Sequence, residues 1–312
     1  MSTLDRNVDG ETSFSKSTGV KQTDRQIFSI LGYISLGILA LLCLLPFVLI
    51  VSSSMTSEDR IIMNGYQFIP LDFSLEAFKI LFKYPDQMIN AYLVTIGVTA
   101  VGTFFGLLLT SMTAYALSRK DFKWRNKFSF FFFFTTLFNG GLVPWYLLIV
   151  NYLQMKDTFL ALIVPMLLNV FYIIVMKSFL SSIPEAIVES AKIDGAGDFR
   201  IYAQLILPLS KPALATIGLF LALAYWNDWY NALLFISDEK LMPLQYYLYK
   251  MLGNMDGMRK AMMGAGAVVT TSVPTESLKM AMTVVATGPI LLAYPLVQRY
   301  FVKGLTIGAV KG

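Results

Sequence analysis

The chain has 312 residues, of which 56% are hydrophobic and only 14% charged, with a formal net charge of +5. Its mean hydropathy of +0.61 excludes an ordinary water-soluble domain. There is no His and one Cys, Cys43, so neither a His or multi-Cys metal site nor an internal disulfide is available. Lys and Arg fall in short clusters beside apolar runs rather than on a basic face interleaved with aromatics, which speaks against nucleic acid as a partner and for membrane orientation.

Positions 1–26 are polar and rich in Ser, Thr and Asp. They read as a flexible cytoplasmic tail before an uncleaved first helix, because the apolar run that follows is long enough to span. Six spans of about 20 mainly apolar residues are predicted near 27–51, 91–117, 128–150, 159–180, 213–236 and 280–302. Pro46, Pro144, Pro165, Pro289 and Pro295 fall in or near them, where neighbouring helices satisfy the freed backbone groups.

Between the second and third spans, Arg119, Lys120, Lys123, Arg125 and Lys127 face the single acid Asp121, and the positive-inside rule places this connection in the cytoplasm. Alternation then puts both termini and the loop 181–211 inside, and 52–90, 151–157 and 237–279 outside. The expected organisation is one all-α integral membrane domain, 27–302, between tails 1–26 and 303–312.

The run Phe130 to Phe134 carries no polar companion, so it reads as lipid-facing or packed. The last outer loop contains Met251, Met255, Met258, Met262 and Met263. Two readings of it stand: short helices on the membrane surface, or an adaptable partner contact.

The segment 183–212 is a polar interruption between spans. Ser182 is a predicted N-cap and Pro184 a first-turn residue of a short helix with Ile183, Ile187, Ala191 and Ile193 as its apolar stripe. Asp194 and Gly195, followed by Ala196, form a turn that starts a second short helix toward Pro208. A small apolar knob beside an acid, Glu189, fits a cleft in another protein.

Aromatic faces and amides suited to a saccharide gather at Tyr225, Trp226, Asn227, Asp228, Trp229 and Asn231, with Asn139, Trp145, Tyr146 and Asn169 as further candidates. The competing reading of this group is an interfacial aromatic belt.

Glu189, Ser190, Ala191, Gly195, Ile206, Leu207 and Pro208 resemble the cytoplasmic EAA motif of importer permeases driven by ATP-binding cassettes, with Ser190 where that motif often has Ala. Asn139 to Tyr146, Tyr225 to Asn231 and the ending Tyr300 to Gly312 are similar to bacterial carbohydrate-importer permeases, so the resemblance runs from about Ile27 to the terminus. Gly140-Gly141-Leu142-Val143-Pro144 points to the oligosaccharide and polysaccharide branch, among maltose-type second permeases.

This resemblance implies a type I importer permease fold in the bacterial cytoplasmic membrane, with six transmembrane helices and a coupling helix. It implies a non-hydrolytic subunit working with a second permease as a heterodimer, two ATP-binding cassette subunits that hold ATP and Mg, and an extracytoplasmic sugar-binding protein. The chain itself has no phosphate loop of the Gly-x-x-x-x-Gly-Lys-Ser/Thr kind and no expected cofactor, metal or catalytic residue. The tail residues Gly308, Val310, Lys311 and Gly312 either reach the ATPase interface, as the resemblance suggests, or form a frayed end. The alternative class is a secondary transporter of a small polar solute, which would carry buried ionisable groups and paired repeats in its spans.

Overall fold

A computed structural model of the chain describes residues 22–70, 72–264 and 274–309. The chain divides into two compact units, Met1–Leu49 and Ile50–Gly312. The first holds most of α1, Gln22–Ser54, a helix apolar on all sides that contains Pro46. Among the described residues there is no β-strand, only an isolated bridge between Thr56 and Phe73.

The second unit is organised along α4, Pro85–Ser118. Three apolar cores are strung along this one helix. Near its C-terminal end, Ala114, Tyr115 and Leu117 pack with Ile173, Met176 and Leu180 of α8, Val170–Ser181, and with Ile217 and Leu221 of α12, Lys211–Trp226. Val94 and Val98 build the middle core with Ile149, with Ala161 to Ile163 of α7, Phe159–Ile163, and with Phe235 of α13, Tyr230–Phe235. At its start, Met88 joins Leu81 of α3, Glu76–Leu81, Leu244 and Leu248 of α14, Leu244–Gly264, and Leu278, Ala281 and Met282 of α15, Glu276–Ala309.

Small residues set how closely these helices approach. A Cβ added at Gly102 would lie 2.5 Å from the Tyr225 ring, and one at Gly218 would lie 3.0 Å from the side chain of Leu107. Tyr225 thus occupies the gap that Gly102 leaves, and its hydroxyl donates to Ile163 O at 2.9 Å, which ties α7 to the α4–α12 pair. Such close approach is how helices associate where lipid is as apolar as the side chains.

Among the described residues, two helices are long and apolar enough to cross a membrane, Phe28–Ser54 and Pro85–Ser118, and three bent pairs raise the number to five. The expected span 128–150 is broken: α5, Arg125–Leu137, and the helical stretch Leu142–Tyr152, which opens with α6, Leu142–Leu147, meet at 117°. The span expected at 159–180 bends by 52° between Phe159–Met166 and α8. That at 213–236 ends early, since α12 stops at Trp226 and α13 begins at Tyr230, where Asp228 accepts hydrogen bonds from the Asn231 backbone N–H (3.2 Å) and side-chain amide (3.0 Å). The sixth, 280–302, lies within α15.

Phe130, Phe131, Phe133 and Phe134 are exposed while Phe132 packs on the first core. The Met-rich stretch is helical in α14, where Met251 and Met255 pack on the third core and Met258 is exposed. The side chains of Met262 and Met263 lie outside the described residues.

A buried carboxylate joins the start of this unit to its last helix. Glu58, on α2, Glu58–Asn64, is 5% exposed. Its Oε1 accepts from the N–H groups of Thr275 (3.0 Å) and Glu276 (2.9 Å), and its Oε2 from the N–H (2.8 Å) and hydroxyl (2.7 Å) of Ser277. These are the amides that a helix leaves unpaired at its N-terminus, and a negative charge suits that end of the helix dipole. Glu58→Gln turns an acceptor into a donor that faces the donors at Ser277, and should cost about 2 kcal/mol. An unchanged thermal midpoint of the purified protein would show that the cap carries no stability.

Candidate functional site

The polar segment folds as a compact handle. Helix α9 is Glu185–Ile193 with Pro184 at its N-cap. The expected cap, Ser182, instead closes α8 by donating its hydroxyl to Phe179 O at 2.7 Å, because it follows α8 by a single residue. At its other end, the N–H of Ala196 bonds Ala191 O (2.9 Å) and that of Gly195 bonds Lys192 O (3.0 Å), with Gly195 at φ +80°. This is a Schellman closure, which needs the left-handed residue that Gly supplies.

The chain then turns into α10, Asp198–Ile201, a wider π turn, Tyr202–Ile206, and α11, Leu207–Leu209, before bending by 82° into α12.

Val188, Ala191 and Ile206 are buried in the first core, while Ala196 and Leu207 pack against it. Glu189, Ser190, Asp194, Gly195 and Pro208 are exposed. The expected stripe is corrected at one position: Ile193 is 87% exposed, and Val188 faces the core instead. Two residues beyond Ala191 is about 200° around a helix, so the two cannot share a face. Phe199 is also 71% exposed. The handle therefore presents an outer crest of Glu189, Ser190, Ile193, Asp194, Gly195 and Phe199. Sequence reading missed Phe199, although an aromatic residue in so polar a stretch was the available signal.

Ion pairs fix the inner side of the handle to the loop after α4. Asp121 Oδ2 receives Arg119 at 2.8 Å and Lys192 at 2.5 Å, and Lys120 pairs with Glu185. Hydrogen bonds from Arg119 and then Lys192 hold the Asp121 carboxyl well below the usual carboxylate range. The carboxylate of Glu189 makes no ion pair or hydrogen bond among the described residues.

The ten candidate saccharide residues separate. Tyr225 is buried with its hydroxyl committed to Ile163 O, and Trp226 packs on the third core and donates its Nε1 to Ala286 O at 3.1 Å. Asp228 and Asn231 bond each other. Trp145 and Tyr146 pack on the middle core. Asn139 accepts from the Gly141 N–H and Asn169 from the Phe171 N–H, each at 2.9 Å, as turn and helix caps.

Asn227 and Trp229 line a groove of about 470 Å³ that they share with Gln245, Tyr249, Lys279 and Thr283. Trp229 and Tyr249 stack there with centroids 4.8 Å apart. Tyr249 and Gln245 carried no sequence signal, since only the packing of α14 brings them to Trp229. Of the tail candidates, Gly308 lies in α15, and Val310, Lys311 and Gly312 lie outside the described residues.

Residues 102–307, from the close-packed middle of α4 through the handle into α15, match the family described as binding-protein-dependent transport system inner membrane component. The chain belongs to this family. Among curated permeases, it is 39% identical to the polygalacturonan/rhamnogalacturonan transport system permease protein YtcP of Bacillus subtilis, over 92% of this chain and 99% of that one. It is 37% identical to protein LplC of the same organism, over 92% and 96% of the two chains. In structure, the permease is similar to a chain of a bacterial ABC transporter involved in the import of the acidic polysaccharide alginate, with a TM-score of 0.73, 32% identity, and coverage of 90% and 98%.

Two measurements on the permease follow. Trp226→Ala should destabilise it by about 3 kcal/mol, whereas Trp229→Ala, at the open groove, should change stability by less than about 1 kcal/mol. Equal shifts of the thermal midpoint would erase the distinction between the two residues. Because the Asp121 carboxyl is depressed in the folded chain, its ion pairs are complete above the ordinary carboxylate value and are lost only as pH falls through the lower folded value. Hydrogen exchange of the 185–198 amides should therefore stay protected at every pH above about 4. Asp121→Asn should speed that exchange at every pH above about 4, and wild-type protection in this variant would remove the network from the handle's support.

Proposed function

We propose that the chain is one transmembrane half of an ATP-driven, binding-protein-dependent oligosaccharide importer, with the 183–212 handle coupling it to a separate ATPase. The observation that carries this reading is the handle itself. Its inner face is buried in the first core, while its outer crest offers an unpaired acid, Glu189, beside two exposed apolar side chains, Ile193 and Phe199. An apolar anchor next to a charge available for an Arg or Lys partner is the composition of a protein contact. The relatives support the same reading, because YtcP is named for polygalacturonan and rhamnogalacturonan transport and the alginate transporter for import of a polysaccharide.

In this reading six helices cross the bacterial cytoplasmic membrane with both termini and the handle inside. The handle rides in a cleft of one of two ATPase subunits, which supply ATP and Mg, and Gly308 to Gly312 approach the same interface. A second, different permease completes the path, and an extracytoplasmic binding protein delivers the sugar. The chain is divided as a tail 1–26, a domain 27–302 and a tail 303–312. Trp229 and Tyr249 offer aromatic faces to sugar C–H surfaces, and Asn227 and Gln245 offer amides to its hydroxyls. This makes their groove the part of the path contributed by this subunit. The remaining eight of the ten candidates act on the path only by holding the helices that frame it.

Glu189→Lys should reduce co-purification of the ATPase subunits about tenfold or more, with the permease pair intact. Unchanged co-purification and sugar-stimulated ATP hydrolysis would overturn the coupling role. With Cys43 replaced, a single Cys at position 123 should react with an impermeant maleimide only in inverted vesicles, and labelling in intact cells would reverse the topology.

A further inference from the structure

A second pocket lies where α4, α5, α8 and α9 meet. Its volume is about 400 Å³. Arg119, Lys120 and Arg125 converge on it with one acid, Glu185. Arg119 is engaged by Asp121 and Lys120 by Glu185, whereas the half-buried Arg125 has no ion pair or hydrogen-bond partner among the described residues. Helix α9 opens onto the same space uncapped, since Pro184 has no side-chain acceptor for its first amides. Tyr115, 9% exposed, lines the pocket, and its buried hydroxyl has no hydrogen-bond partner among the described residues.

Arg125, the uncapped start of α9 and the Tyr115 hydroxyl are donors without side-chain acceptors among the described residues. They suit an anion with several oxygens, and a neutral ligand would leave the Arg125 charge uncompensated. The rest of the wall combines the apolar Leu180, Ile183, Val188 and Ile206 with Ser118, Ser181 and Ser182, whose hydroxyls each donate to a backbone carbonyl. On the same segment as Arg125, Lys127 sits over the Trp124 ring at 4.5 Å and Phe128 is exposed, a mixture of cations and aromatic rings that suits the level of lipid headgroups.

We infer that this pocket binds the phosphate of an anionic phospholipid headgroup, with Arg125 as the principal cation and the first turn of α9 as a second donor. A lipid fits better than free phosphate because the apolar side chains of Leu180, Ile183 and Val188 accept the glycerol and upper acyl chain next to the bound charge. The inference rests on reading 119–127 as a membrane-surface segment, and on neither the side it faces nor the solute carried. A lipid bound there would brace α9, and with it the handle, against the end of α4.

The test uses the full chain in its assembled complex, delipidated in mild detergent and titrated with mixed phosphatidylglycerol and phosphatidylcholine micelles, with retained lipid counted by mass spectrometry. Arg125→Gln should lower phosphatidylglycerol affinity about fivefold. Arg125→Lys should keep most of it, while Lys123→Gln, an exposed cation outside the pocket, and phosphatidylcholine retention should show no change. Arg125 has no ion-pair or hydrogen-bond partner among the described residues, so its replacement should leave the fold intact, which an unaltered elution profile checks. Equal losses from Lys123→Gln would mean diffuse charge and no site, and full retention by Arg125→Gln would remove the pocket from lipid binding. Displacement by millimolar inorganic phosphate would identify a free anion as the ligand. Detergent has no sidedness and the assay contains no sugar, so a failure here is distinct from a failure of the proposed topology or transport role.

Discussion

The fit of Tyr225 against Gly102 is the contact on which the rest of the second unit depends. Tyr225 can lie against α4 only because Gly102 has no Cβ, and its hydroxyl is then close enough to bond Ile163 O. One side chain thereby fixes α12 against α4 and places α7 against both. In lipid there is little hydrophobic gain in bringing helices together, so close packing over small residues and a few satisfied polar groups must do it. Gly106 and Gly218 extend the same seam along the pair.

With that seam set, α4 serves as a wall shared by all three cores, and the functional surfaces lie at its two ends. At the C-terminal end, Ala191 and Ile206 of the handle enter the core built by Ala114, Tyr115 and Leu117, and the Asp121 ion pairs add direction to a contact that apolar packing alone would leave free to rotate. At the N-terminal end, the Thr95 hydroxyl accepts from Leu244 N–H at 2.8 Å, which seats α14 beside α15 and so brings Tyr249 under Trp229. A shift of α12 along α4 would disturb both ends together. That is the physical basis on which this fold can link the handle to the groove at the other end of α4.

The handle was largely legible in the sequence because its signals are local. Gly195 announces the left-handed turn, and Glu189 and Ser190 declare a polar face within an apolar chain. The saccharide group was poorly legible, because the same residue types serve packing and recognition. Trp226 and Trp229 are alike in composition and three residues apart, yet α12 ends between them, so one packs toward Ala286 and the other faces the groove. Asn139 and Asn169 were drawn into the candidate list by chemistry that the backbone turns had already claimed.

By itself the sequence determined that the chain is a helical membrane protein of the importer-permease kind, with a polar handle between spans. Hydropathy over about 20 residues and the chemistry of Gly, Pro and charged residues act within a few turns of helix. Only the tertiary structure decided where the spans bend, which face of α9 turns outward, that Glu58 caps a helix more than 200 residues later, and which aromatic rings stay free. These follow from contacts between distant segments, and such contacts depend on how closely two helices can approach, which no local pattern records.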